Sequence, residues 1–131
     1  ERVEPALAAT FWQGLRDQQD EFFTSALKAV EGGAALWRLG VPQTAAPITL
    51  TGEQLVKWGG AQRWLCTPAS ASLVREAAAA TGGHATLFRS NERSGDVFAP
   101  LSDAMLALHR QLKSVFDPQG ILNRGRLIEA F

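Results

Sequence analysis

Apolar residues recur along the first thirty positions at helical spacing. Phe11, Leu15, Phe22, Ala26 and Val30 fall close to one stripe, as residues three, four or seven apart do at 3.6 residues per turn. The pattern predicts one long helix over 4–30. Gly14 weakens it by about 1 kcal/mol relative to alanine, and Gly32-Gly33 supplies a stop. The period then changes to two. Trp37, Leu39 and Val41 alternate with Leu36 and Arg38, which predicts a strand over 35–41. Pro42 and Pro47 make 42–51 an extended loop.

Residues 53–67 read as a hairpin. Leu55-Val56-Lys57-Trp58 precedes Gly59-Gly60, and Ala61-Gln62-Arg63-Trp64-Leu65-Cys66 follows. A Gly-Gly loop suits a primed turn, which needs positive φ. The implied register pairs Trp58 with Ala61, Val56 with Arg63 and Leu55 with Trp64. One face then carries Leu55 and Trp64, and the other Val56, Trp58, Arg63 and Leu65. A helix broken at Gly59 is the competing reading. Thr67-Pro68 predicts a capped helix start, giving a helix over 68–81 that ends at Gly82-Gly83. A strand over 84–89 presents His84, Thr86 and Phe88 on one face, and 90–96 is a polar loop. Leu101, Met105, Leu108, Leu112 and Val115 form the stripe of a last helix over 101–116. Asp117-Pro118 stops it, because a residue before proline disfavours helical geometry. A compact tail over 119–131 ends in the apolar Leu127-Ile128 pair. The order of elements predicts an α+β fold, a small antiparallel sheet packed with helices. No repeat or linker divides the chain, so 1–131 reads as a single domain.

Composition narrows the classes. The chain has 131 residues, 46% hydrophobic and 20% charged, an ordinary globular balance that excludes wholesale disorder. Thirteen basic residues offset thirteen acidic ones, so the basic surplus of a nucleic-acid binder is missing and no nucleic acid is expected. The one cysteine, Cys66, excludes an internal disulfide framework or a structural zinc site. No apolar run reaches the roughly 18 residues of a membrane span, and no signal peptide opens the chain. A reducing, cytoplasmic setting is expected. The chain starts at Glu1 without a methionine, which suits a piece of a longer protein.

Few residues offer chemistry. Arg38 and Arg63 lie on predicted strands. Each can hold a carboxylate or phosphate through its planar fork, or can be a solvated edge residue or the partner of Glu53 or Asp96. His84 follows two glycines, a place for a proton carrier or for a histidine that satisfies a backbone carbonyl. His109 reads as structural. Ser70, Ser72 and Ser102 fall at helix starts, where capping explains them. No histidine or cysteine spacing suits a metal, and no glycine loop cradles a phosphate. Trp12, Trp37, Trp58 and Trp64 read as core and contact-surface residues. The segment 117–126 is the most distinctive. It is a turn, an apolar step and an exposed Asn123, with Arg124 and Arg126 held by glycines. It either delivers an amide and a cation to a planar anionic cofactor or merely ends the chain.

Four blocks carry a family resemblance. The tail from Phe116 to Arg126 resembles the terminal signature of FAD-linked oxidases related to vanillyl-alcohol oxidase. Leu36-Trp37-Arg38-Leu39 with Val41-Pro42, Trp58-Gly59-Gly60-Ala61-Gln62-Arg63-Trp64-Leu65 and Gly82-Gly83-His84-Ala85-Thr86-Leu87-Phe88-Arg89 together resemble the FAD-binding E-subunit family of bacterial glycolate oxidases. The resemblance runs from about Phe22 to the end. It implies a cap, or substrate, domain whose larger FAD-binding module lies outside this chain. It implies oxidation of glycolate and other small 2-hydroxy acids, with hydride transfer to FAD. It also implies a complex with a sister flavin subunit and an iron–sulfur subunit, peripheral at the inner membrane. By carry-over, Asn123 approaches the flavin and Arg126 occupies the last motif position, while Arg124 stands where the family has proline. Arg63 or Arg38 would hold the substrate carboxylate and His84 would take the hydroxyl proton. Two other readings compete: a non-catalytic assembly or electron-transfer subunit that docks through its tryptophans, and a free-standing binding domain.

Overall fold

The computed structural model describes residues 3–92 and 97–126. The chain divides into two compact units, Glu1–Gly95 and Asp96–Phe131. The first unit holds helices α1 (Pro5–Arg16), α2 (Glu21–Glu31) and α3 (Ala71–Ala80), and strands β1 (Ala35–Gly40), β2 (Glu53–Lys57), β3 (Gln62–Thr67) and β4 (His84–Arg89). The second holds α4 (Asp103–Phe116) and the turn that follows it. The fold is α+β, as the element order predicts.

The four strands form one antiparallel sheet in the order β2-β3-β1-β4. Alternation of side chains across the pleat gives the sheet two apolar faces. On one face Leu36, Trp64 and Cys66 pack with Phe22, Phe23, Ala26 and Val30 of α2. On the other, Trp37, Leu39, Leu65 and Ala85 pack with Val74 and Ala78 of α3 and with Val41 and Ile48 of the 41–52 connection. The unit is therefore layered helix, sheet, then helix plus loop. Edge-to-face ring contacts run from Phe22 to Phe23, from Phe23 to Trp64 and from Trp64 to Phe88, tying α2 to β3 and β4.

The predicted helix over 4–30 is two helices. Asp20 caps α2, its carboxylate accepting from the Phe23 N–H at 3.1 Å, and Gln18 takes a φ of 56°. The cap satisfies an orphan donor that a continuous helix would not leave open. The break also turns the adjacent Phe22 and Phe23 into the core, where both are buried. Lys57 donates to the Leu15 carbonyl at 3.3 Å, placing a cation at the C-terminus of α1. Asn91 donates to the Val30 carbonyl at 2.7 Å at the end of α2.

The hairpin register is as expected, with Val56 opposite Arg63 and Leu55 opposite Trp64. Its connection differs. Trp58–Gly60 is a 3₁₀ turn, and Trp58, Gly59 and Gly60 all have positive φ. Trp58 thus leaves the strand, and its side chain no longer follows the alternation that placed it beside Val56 and Arg63. The helix expected from 68 starts at Ala71, capped by Ser70. Thr67 is fully buried at the end of β3 and donates to the Thr51 carbonyl at 2.6 Å, so its hydroxyl closes the loop instead of capping the helix. Ser102 caps α4, and Asp117 ends it. The stripe of α4 is present, but no residue of that helix is buried. Part of the expected 90–96 loop and the Leu127-Ile128 pair lie outside the described residues.

Candidate active site

β1 ends between β3 and β4, with Gly40 opposite Gln62 on one side and opposite His84 on the other. Alternation puts Arg38, Gln62 and His84 on the face that carries Leu36 and Trp64. They line a cleft of about 330 Å³ together with Gly40 and Trp58. The cleft gathers a guanidinium, an amide, an imidazole and an indole. Arg38 is exposed, and no hydrogen bond or ion pair engages its guanidinium among the described residues. A planar cation beside an amide and an imidazole has the chemistry to hold a small carboxylate.

His84 is held by its neighbours' lack of side chains. Gly83 follows the end of α3, and its N–H donates to the Ala78 carbonyl at 2.9 Å. A Cβ on Gly83 would stand 2.3 Å from the Gly40 carbonyl oxygen. The Gly82-Gly83 pair is thus a packed corner that brings β4 onto the end of β1, and His84 opens the strand at that corner.

Arg63 goes elsewhere. It faces the α3 side of the sheet, opposite Leu39, and is 6% exposed. Its guanidinium donates to the carbonyls of Ala46 at 2.6 Å, Ala45 at 2.6 Å and Gly60 at 3.2 Å. Those bonds pin the 42–51 loop and the hairpin turn to β3. The structure therefore brings Arg38 and His84 together and keeps Arg63 apart from them. Gln62 is a cleft residue the sequence reading did not single out, and Trp58, expected as a core or contact-surface residue, lines the same cleft. The alternation on β3 placed Gln62 on the same face as Trp64 and was the available signal.

The remaining candidates separate cleanly. Cys66 is buried, and burial followed by the charge of Glu53 pushes its thiol up from its ordinary value, away from nucleophile chemistry. His109 makes a bond of 2.8 Å with the Met105 carbonyl of its own helix. Trp37 and Trp64 are core residues, whereas Trp12 and Trp58 are exposed. Among the described residues no group of three or more His, Cys, Asp or Glu is placed to hold a metal ion, and no helix is long and apolar enough to cross a membrane.

In the second unit Asp117 organises the turn. Its buried carboxylate accepts from the Ile121 N–H at 3.0 Å and the Leu122 N–H at 2.8 Å, and lies 2.7 Å from the Lys113 ammonium. Lys113 also donates to the Leu122 carbonyl, and Arg124 donates to the Gly120 carbonyl. Beyond this knot Asn123 has a φ of 47°, a left-handed geometry that asparagine tolerates. The side chains of Asn123 and Arg126 are exposed and unengaged among the described residues.

Residues 98–127 match the family described as FAD linked oxidases, C-terminal domain. Over those residues the chain is similar to the FAD-linked oxidases. Among curated proteins it is similar to glycolate oxidase subunit GlcE of Escherichia coli (strain K12), with 41% identity over 121 residues, 92% of this chain. The chain spans about a third of the length of that relative. No solved structure matches it.

Proposed function

We propose that this chain is the cap, or substrate, domain of an FAD-linked oxidase subunit that oxidises glycolate, or another small 2-hydroxy acid, to the 2-oxo acid. The observation that carries the reading is the placement of Arg38 and His84 at one cleft. The guanidinium of Arg38 holds the carboxylate through two parallel charge-assisted bonds. Gln62 offers an amide to the same acid. The His84 imidazole accepts the proton of the C2 hydroxyl as its C–O bond becomes a carbonyl. The bound flavin supplies a two-electron acceptor for the hydride lost from C2. Arg63 serves the loop that backs the sheet, so the carboxylate falls to Arg38.

The exposed, unengaged side chains of Asn123 and Arg126 suit one polar edge of FAD. An amide both donates and accepts, and a guanidinium pairs with an anion. A single turn offers no cradle for the whole cofactor, which is held mainly by a module outside this chain. The similarity to a glycolate oxidase subunit supports an assembly with partner subunits, and the partners proposed are a sister flavin subunit and an iron–sulfur subunit. A cytoplasmic place for the assembly, peripheral at the inner membrane, is part of the same proposal.

The test is glycolate-dependent dye reduction by the full-length protein in its complex. Arg38→Ala raises KM by about 10- to 100-fold, the scale of a charge-assisted bidentate contact. His84→Ala lowers kcat by about 100-fold, the scale of a lost general base. Unchanged kinetics in both variants would refute the reading.

A second reading, a non-catalytic docking subunit, draws on the apolar exposure of Phe11, Trp12, Leu108, Leu112 and Val115. It predicts that the full-length protein assembles with its partners yet contains no flavin.

A further inference from the structure

Trp58 is the cleft residue that packing does least to explain. Three successive residues, Trp58, Gly59 and Gly60, have positive φ. Glycine takes that region without penalty, whereas a bulky side chain crowds the following carbonyl and is rare there. The largest side chain of all stands first in the run, with a φ of 52°. The residue is 78% exposed, and no ring contact or hydrogen bond engages its indole among the described residues. Trp37 and Trp64, by contrast, are buried in the two cores. Burial therefore does not offset the strain at 58. The left-handed turn instead takes the indole off the strand and sets it on the rim of the cleft with Arg38, Gln62 and His84. Strain that no packing explains is characteristic of ligand-binding positions.

We propose that Trp58 is a ligand-contacting residue of the cleft, whose indole covers a small organic acid held by Arg38. This rests on the cleft being the substrate site. Covering the guanidinium–carboxylate pair excludes water and strengthens its attraction, because the local dielectric falls.

Oxalate is the probe. It presents the same carboxylate and has no C–H bond to lose, so binding is read without turnover. It is titrated by calorimetry into the full-length protein. Trp58→Ala weakens oxalate about tenfold, the scale of an ion pair that loses its cover from water, while Trp58→Phe stays within about threefold. The tryptophan emission of the unaltered protein shifts to the blue with oxalate, and Trp58→Phe abolishes that shift. Trp58→Gly relieves the backbone strain, so Tm rises by about 2–5 °C while oxalate weakens as in Trp58→Ala. A structural role for Trp58 would instead lower Tm. If Arg38→Ala loses oxalate but Trp58→Ala binds it normally, the proposal falls and the cleft stands. If the unaltered protein binds no oxalate, or Arg38→Ala binds it equally well, both fall.

Discussion

The imidazole of His84 lies across the α-carbon of Gly40, so that a Cβ at position 40 would stand 2.8 Å from Cε1 and 3.1 Å from Nε2. The obstructing atoms are the end of a side chain, which can swing away. Gly40→Ala therefore spares the fold and moves the ring. The expected result in the full-length protein is a fall in kcat for glycolate of at least about tenfold, because about 1 Å of misplacement is costly in proton transfer. KM changes little, since Arg38 is untouched, and Tm changes by only a few degrees. Imidazole resonances of His84 displaced in Gly40→Ala would report the movement directly. Unchanged resonances and unchanged kcat would show that the ring's place does not depend on Gly40.

Gly83 offers the opposite case. A Cβ there would meet the Gly40 carbonyl oxygen at 2.3 Å and Val41 Cγ1 at 2.7 Å. Backbone cannot swing aside as an imidazole can. Gly83→Ala must push β4 from the end of β1, and a loss of about 2–4 kcal/mol is expected, the range of overpacking with backbone shift. Urea unfolding of the two glycine variants side by side measures the contrast. A Gly83→Ala variant as stable as Gly40→Ala would mean that the corner is looser than its contacts show.

Much of this arrangement was legible in the sequence. The period-two runs at 35–41 and 84–89 and the hairpin register gave the strands, because pleat and core faces enforce alternation. The break between α1 and α2 was not legible from periodicity. Phe11, Leu15, Phe22 and Ala26 fit one stripe, yet the Asp20 cap and the left-handed Gln18 interrupt it, and capping overrides a stripe that tertiary contacts do not require. Arg38 and His84 stood out individually. Their meeting depends on β1 lying between β3 and β4, a pairing order that no local pattern encodes. Arg63 was indistinguishable from Arg38 in sequence. Only the opposite facing of the two residues, and the carbonyls that surround Arg63, separate a loop anchor from a free cation.

That separation is measurable. Arg63 donates to the carbonyls of Ala45, Ala46 and Gly60 while 6% exposed. Removing it leaves these acceptors without their donor. Arg63→Ala is expected to cost about 2–4 kcal/mol in urea unfolding, the penalty for unsatisfied buried groups and a lost charged donor. Arg63→Lys recovers little, because one ammonium cannot reproduce the planar fork. Arg38 is exposed and unpaired among the described residues, so Arg38→Ala should stay within about 0.5 kcal/mol of the unaltered protein. Equal stability losses in the two alanine variants would contradict the division of labour between them.

The turn of the second unit has a pH dependence of definite sign. The Lys113 ammonium, and then the Leu122 and Ile121 N–H groups, hold the Asp117 carboxyl at about 2, below its ordinary value. An unfolded aspartate titrates near about 3.9. A folded value below the unfolded one means that the ionised form is bound more tightly by the fold than by water. The stabilisation is therefore complete above about pH 4 and is lost as pH falls from there through about 2. It is absent only when the carboxyl is protonated in both states. Proton resonances of the Ile121 and Leu122 amides should titrate together with a midpoint near about 2, as their common acceptor loses its charge. Asp117→Asn should abolish that titration and loosen the turn at neutral pH, because the amide retains one acceptor oxygen and no charge for Lys113. Amides that titrate near 4 in the unaltered protein would show that the carboxylate is not clamped.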